Sequence, residues 1–103
     1  MLDFVIERLD DLKIENLETI DISKKTSIAD YLVVGTGRSE KHIESTAEQL
    51  KLALKENSMG AKNVDGRSSS WIVLDLGNIL VNLFTEESRN KYKLEQLWMK
   101  EKK

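Results

Sequence analysis

Residues 35–39, GTGRS, close one apolar run and precede an amphipathic one, so their backbone N–H groups and the following helix N-terminus could hold a phosphate. The match to known phosphate loops is incomplete. GxxxxGK[ST] is absent, and Glu40 interrupts a GxGxxG. Because a tight strand-to-helix turn uses glycines in any case, the turn reading is preferred. The sole histidine, His42, follows Glu40 and Lys41 with no serine elbow beside it, which favours a surface or capping role over catalysis. Asp21, Asp30 and Asp75 lie at or near strand ends, where catalytic carboxylates often sit. No two of them form the close pair that would hold magnesium for phosphoryl transfer. The chain has no cysteine, which excludes thiol catalysis, disulfides and thiolate metal sites, and one histidine cannot build a multi-histidine centre. Neither metal nor cofactor is expected, and enzymatic chemistry has no visible seat.

The elements that would position these residues follow from hydrophobic periodicity. Apolar residues at 2, 5, 6, 9 and 12 predict a short amphipathic helix over 2–13. LETIDI (17–22) and DYLVVGTG (30–37) read as strands. Ser39 is a plausible N-cap for a helix carrying Ile43, Ala47, Leu50 and Leu54 on one stripe and ending near Gly60. A short extended piece at 63–66 and a polar RSSS lead to the hairpin described next. Thr85 caps a last helix, with Glu86 and Glu87 in its first turn and Tyr92, Leu94, Leu97 and Trp98 as its apolar positions. The order predicts one domain over 1–103, an α/β fold with a single mixed β-sheet and flanking helices.

Composition narrows the function class. With 40% hydrophobic and 33% charged residues the chain is that of a globular protein, and its apolar runs fall far short of a membrane span. The N-terminus lacks the basic-then-apolar layout of a secretory signal, so a cytoplasmic setting is expected. The net charge of −2 is not that of a nonspecific nucleic-acid binder. Residues 1–22 hold seven acids against Arg8 and Lys13, an acidic end that could meet a basic partner.

WIVLDLGNILVNLF (71–84) carries the most information. Gly77-Asn78 between two apolar runs is a two-residue hairpin signal, since Gly accepts and Asn tolerates the positive φ of tight primed turns. Pairing outward from the turn sets Leu76 opposite Ile79 and continues to Trp71 opposite Phe84. One face is then Ile72, Leu74, Leu76, Ile79, Val81 and Leu83, all aliphatic and destined for a core. The other carries Trp71, Val73, Asp75, Leu80, Asn82 and Phe84, too apolar for an idle surface and too polar for an ordinary core. Either a helix covers it or a partner does.

TSIADYLVVGTGRSEKHIESTAEQL, the hairpin, and ESRNKYKLEQLW together resemble the Iojap family of ribosomal silencing factors over about residues 17–98. The elements that carry the resemblance are Ala29-Asp30-Tyr31, the Gly-x-Ser of 37–39 with His42, Trp71, the Leu-Asp-x-Gly of 74–77, and Arg89, Tyr92, Leu94-Glu95 and Leu97-Trp98. Asn78, where the family commonly has Asp, and Asn82, where it generally has His, depart from the pattern. The resemblance implies a nucleotidyltransferase-like fold without that superfamily's catalytic carboxylates. It also implies binding to ribosomal protein fourteen of the large subunit, which sterically blocks joining with the small subunit and represses translation. The partner-binding set is then Trp71, Val73, Asp75, Leu80, Asn82 and Phe84 with the tip Leu76, Gly77 and Asn78, in which Trp71 and Phe84 supply an apolar anchor and Asp75 meets a basic partner. The alternatives are a nucleotidyltransferase-like enzyme using GTGRS for phosphates and a generic adaptor whose mixed face pairs in a homodimer.

Overall fold

The structure, a computed structural model, describes residues 2–27, 29–57 and 63–92, with the backbone alone at 63–68 and 92. Its elements run α1 (Leu2–Asp11), β1 (Glu15–Asp21), β2 (Tyr31–Gly37), α2 (Glu40–Glu56), β3 (Asn63–Ser68), β4 (Trp71–Asp75), β5 (Ile79–Thr85) and α3 (Glu86–Tyr92). This is the order that periodicity predicts. The strands form one five-stranded sheet, β1-β2-β5-β4-β3, in which β2 and β5 pair in parallel and every other pair is antiparallel. The single mixed sheet with flanking helices is therefore present.

Local chemistry explains the boundaries. Ser39, in extended conformation, accepts the His42 N–H on its hydroxyl and starts α2. That helix ends sooner than expected, at Glu56, because Asn57 turns both its backbone N–H and its side-chain amide onto the Ala53 carbonyl. Gly60, the expected end, lies outside the described residues. Thr85 caps α3 as expected, its hydroxyl accepting the Ser88 N–H. Leu94, Leu97, Trp98 and the Tyr92 side chain, assigned to that helix, also lie outside. β3 extends beyond the predicted 63–66 to Ser68, so RSSS is half strand and half turn. A strand paired on one side only tolerates polar residues that a central strand does not.

The β4–β5 register agrees with the predicted pairing at every step, from Asp75 opposite Leu80 to Trp71 opposite Phe84. At its tip only Gly77 has positive φ, at 96°, so the left-handed requirement falls on the glycine and not on Asn78. Alternation then divides two cores. Ile72, Leu74, Leu76, Ile79, Val81 and Leu83 pack with Val33 of β2 against Ile43, Ala47, Leu50 and Leu54 of α2 and Val5 and Leu9 of α1. On the opposite face Ile20, Leu32, Val34 and Phe84 form a smaller cluster, into which the β1–β2 connection folds Ile22 and Ala29.

Leu74 is fully buried in the larger core, so Leu74→Ala is expected to cost on the order of 2–5 kcal/mol. Gly35 should be nearly as sensitive. A β-carbon there would collide with Ile14 Cγ2 and Leu17 Cδ2, so Gly35→Ala is expected to lose about 1–3 kcal/mol as an overpacked site. Chemical denaturation of both variants checks these values, and a Gly35→Ala protein as stable as the parent contradicts the crowding argument.

Candidate functional site

Trp71 opens β4 and Phe84 lies across from it on β5, so the antiparallel register alone brings the two rings together. Their centroids are 5.0 Å apart with planes inclined at 28°, a stacked pair. Trp71 Nε1–H donates to Asn82 Oδ1 at 3.0 Å, and Asn82 Nδ2 donates a longer bond of 3.4 Å to the Leu80 carbonyl. At the far end of the hairpin, Asp75 Oδ1 accepts the Gly77 N–H at 2.9 Å and so stiffens the turn. The Asn78 carbonyl accepts from the N–H groups of both Asp30 and Tyr31, which ties the same turn to the start of β2.

Burial sorts the sequence-predicted set into two groups. Trp71, Asp75, Gly77 and Leu80 are half-buried and Asn78 is exposed. Phe84 is wholly buried, Asn82 is 3% exposed, and Val73 and Leu76 are buried as well. This corrects the assignment of Phe84 as a surface anchor: Leu32, Val34, Ile22 and Ala29 enclose it, and it supports Trp71 from beneath. Asn82 and Val73 are likewise part of the face's foundation, and Leu76 belongs to the larger core. What covers the mixed face is thus in part the chain's own β1–β2 connection. The residues left at the surface are Trp71, Leu80, Asp75 and the tip, Gly77 and Asn78.

The other candidates have structural occupations. Neither glycine of GTGRS has positive φ. Gly35 is required by the approach of Ile14 and Leu17, and a β-carbon on Gly37 would meet Ile43 Cγ2. His42 Nδ1 accepts the Arg38 N–H at 2.9 Å, which leaves Nε2–H to donate to the Leu12 carbonyl at 2.8 Å. The imidazole thereby joins the start of α2 to the segment after α1. Asp21 binds the hydroxyl and the N–H of Ser23, and these bonds, with Lys24 and Lys25 nearby, hold its carboxyl below the ordinary aspartate range. A depressed carboxyl stabilises the fold above its unfolded pKa, and that contribution is lost as pH falls through the folded value. Among the described residues no group of three or more His, Cys, Asp or Glu side chains converges as metal ligands.

Sequence reasoning missed Arg89 as a structural tie, although it belongs to the motif set. Its Nη1 donates to the Asn16 carbonyl and to Thr36 Oγ1, bridging α3 to β1 and β2. Asn16 has a left-handed φ of 53° at the irregularity in the β1–β2 ladder, which the arginine holds in place. No sequence signal links residues so far apart.

A sheet flanked by α1 and α2 on one face, with a stacked tryptophan and a capped turn on the other, defines a scaffold that presents a surface. Comparison with known proteins gives the class. The family model described as ribosomal silencing factor during starvation matches residues 1–103. A Zymomonas mobilis ribosomal silencing factor RsfS is 34% identical over 95% of this chain and 74% of its own. An Arabidopsis thaliana mitochondrial Iojap-related protein is 36% identical over 90% of this chain and 53% of its own. A crystal structure of a Chromobacterium violaceum protein superposes with a TM-score of 0.88 at 30% identity, covering 94% of this chain and 82% of that one. The chain belongs to the family of ribosomal silencing factors. That family acts on ribosomes in translation regulation, and no described helix of this member is long and apolar enough to cross a membrane.

If His42 is a structural tie, His42→Ala leaves the Arg38 N–H and the Leu12 carbonyl to water and should destabilise the fold by about 1–2 kcal/mol, the worth of one or two partly exposed hydrogen bonds. The protein should still bind ribosomes when folded. Loss of binding at an unchanged melting temperature would instead give His42 a direct role in recognition.

Proposed function

We propose that this chain binds the large ribosomal subunit through ribosomal protein fourteen, with Trp71, Leu80, Asp75 and the Gly77-Asn78 tip as the contact surface. Occupying that surface of the subunit excludes the small subunit by volume, and translation falls because joined ribosomes do not form. Membership in a silencing family supports the reading. The observation that carries it is the half-buried Trp71, stacked on Phe84 and hydrogen-bonded to Asn82, because a large ring already ordered loses little entropy on docking. Asp75 adds charge. One carboxylate oxygen serves the Gly77 N–H, and the group keeps acceptor capacity for Lys or Arg on a basic partner. The glycines of GTGRS and the His42 ring are accounted for by packing and by the α1–α2 connection, so this reading routes no catalytic step through them. We place the protein in the cytoplasm with the ribosomes it silences, as one domain acting without cofactor.

Cosedimentation with separated subunits tests the proposal. The protein should pellet with the large subunit alone and lower the yield of joined ribosomes, and excess small subunit should relieve the effect. Trp71→Ala should weaken binding by about 30-fold, the roughly 2 kcal/mol typical of an interface hot spot. Asp75→Asn is the cleaner probe of charge, since an amide oxygen can still accept the Gly77 N–H. It should preserve the melting temperature while slowing association and reducing its salt dependence. Preference for the small subunit, or full joining at saturating protein, would end this reading.

A further inference from the structure

Asn82 is the one amide buried within the described core, on a central strand of the sheet and between the apolar Leu80 and Phe84 on the same face. An asparagine is a poor strand former, and a buried amide is costly unless it makes hydrogen bonds. Here its carbonyl oxygen makes one good bond, to Trp71 Nε1–H, while its amide nitrogen reaches only the Leu80 carbonyl at 3.4 Å. The stack on Phe84 sets the plane of the indole, but stacking alone does not choose between the two χ2 rotamers that exchange the ring's edges within that plane. The hydrogen bond removes that freedom by fixing which edge faces the sheet. The partly exposed ring is then offered in one orientation.

We propose that Asn82 is the positioning residue for partner recognition: it makes no contact with the ribosome, and it determines affinity by holding Trp71 in the orientation that docks. The proposal rests on the interface reading above and specifies how that interface is prepared. A prealigned ring docks without first losing rotamer freedom, so removing the acceptor should raise the dissociation rate and lower affinity while leaving the fold intact.

Asn82→Leu keeps the number and branching of side-chain heavy atoms, replaces a buried amide by a bulkier apolar group in an apolar cluster, and removes the Asn82 acceptor from the indole N–H. It should keep or raise the melting temperature and weaken large-subunit binding about fivefold, the worth of one neutral hydrogen bond. Asn82→Val carries the same test if leucine crowds the site. In the Trp71→Phe background, where no indole N–H exists, Asn82→Leu should have no further effect, because Asn82 acts only through that group. Asn82→His supplies a ring nitrogen as acceptor and should restore binding. The free protein offers an independent readout. The Trp71 indole N–H, assigned by its disappearance in Trp71→Phe, should exchange with solvent faster by a similar factor in Asn82→Leu. Equal affinity of Asn82→Leu and parent, or additive losses in the double variant, overturns the proposal. If Trp71→Ala weakens binding and Asn82→Leu does not, positioning fails and the interface stands. If Trp71→Ala binds like the parent, the interface reading fails and the positioning proposal falls with it.

Discussion

The parallel pairing of β2 with β5 is the contact on which the rest of the molecule depends. It joins a strand from the first half of the chain to one from the second, with Leu32 beside Leu80, Val33 beside Val81 and Val34 beside Asn82. A parallel pair needs a long crossover, which here runs through α2, β3 and β4, and strands at that position are covered on both faces. Two cores follow. The larger takes the aliphatic face, α2 and α1. The smaller has only α3 and the β1–β2 connection nearby among the described residues. The surface argued to meet the ribosome is therefore the thinly covered side of an otherwise two-sided sheet, and its location is a consequence of topology.

Polar residues in this fold are spent on joints. Arg89 fastens α3 to the irregular start of β1, His42 fastens α2 to the end of the α1 segment, and Ser70 and Ser88 bond hydroxyl to hydroxyl where β4 meets α3. Each joint connects elements that the sheet alone would leave loosely placed. Polar groups at these positions are accounted for by the joints they make, and the glycines of residues 35–37 by packing. Their lack of a side chain answers crowding by Ile14, Leu17 and Ile43, not a need for bound phosphate.

What the residues disclose in advance depends on how local the cause is. The hairpin register was legible because Gly77 and strict alternation act within a few residues, and the caps Ser39 and Thr85 were legible for the same reason. The burial of Phe84 was not, because Ile22 and Ala29 enclose it, and they come from a connection far away in sequence. Nor was the bond between Trp71 and Asn82. Alternation places both on one face, but which polar atom meets which is decided by the ring's stacking and by the cross-strand geometry. Strand order and the Arg89 bridge share that dependence on distant partners.

The proposed contact surface is small, and its parts would answer different demands of recognition. Asp75 is tied to the Gly77 N–H through one oxygen, and in the proposed complex it would act at range on a basic surface and hasten encounter without itself being reordered. In the proposed complex Trp71 would act only at contact, where its area and fixed orientation would govern how long the complex lasts. Charge and ring stand at opposite ends of one rigid antiparallel ribbon, so a partner must match their separation as well as their chemistry. A surface with one charged and one aromatic contact would be weakly selective if either were mobile. Held at fixed spacing by the β4–β5 ladder, which itself rests on the parallel pairing to β2, the two become a directional pattern. Selectivity in the proposed interface then rests on the sheet's rigidity more than on the number of contacts.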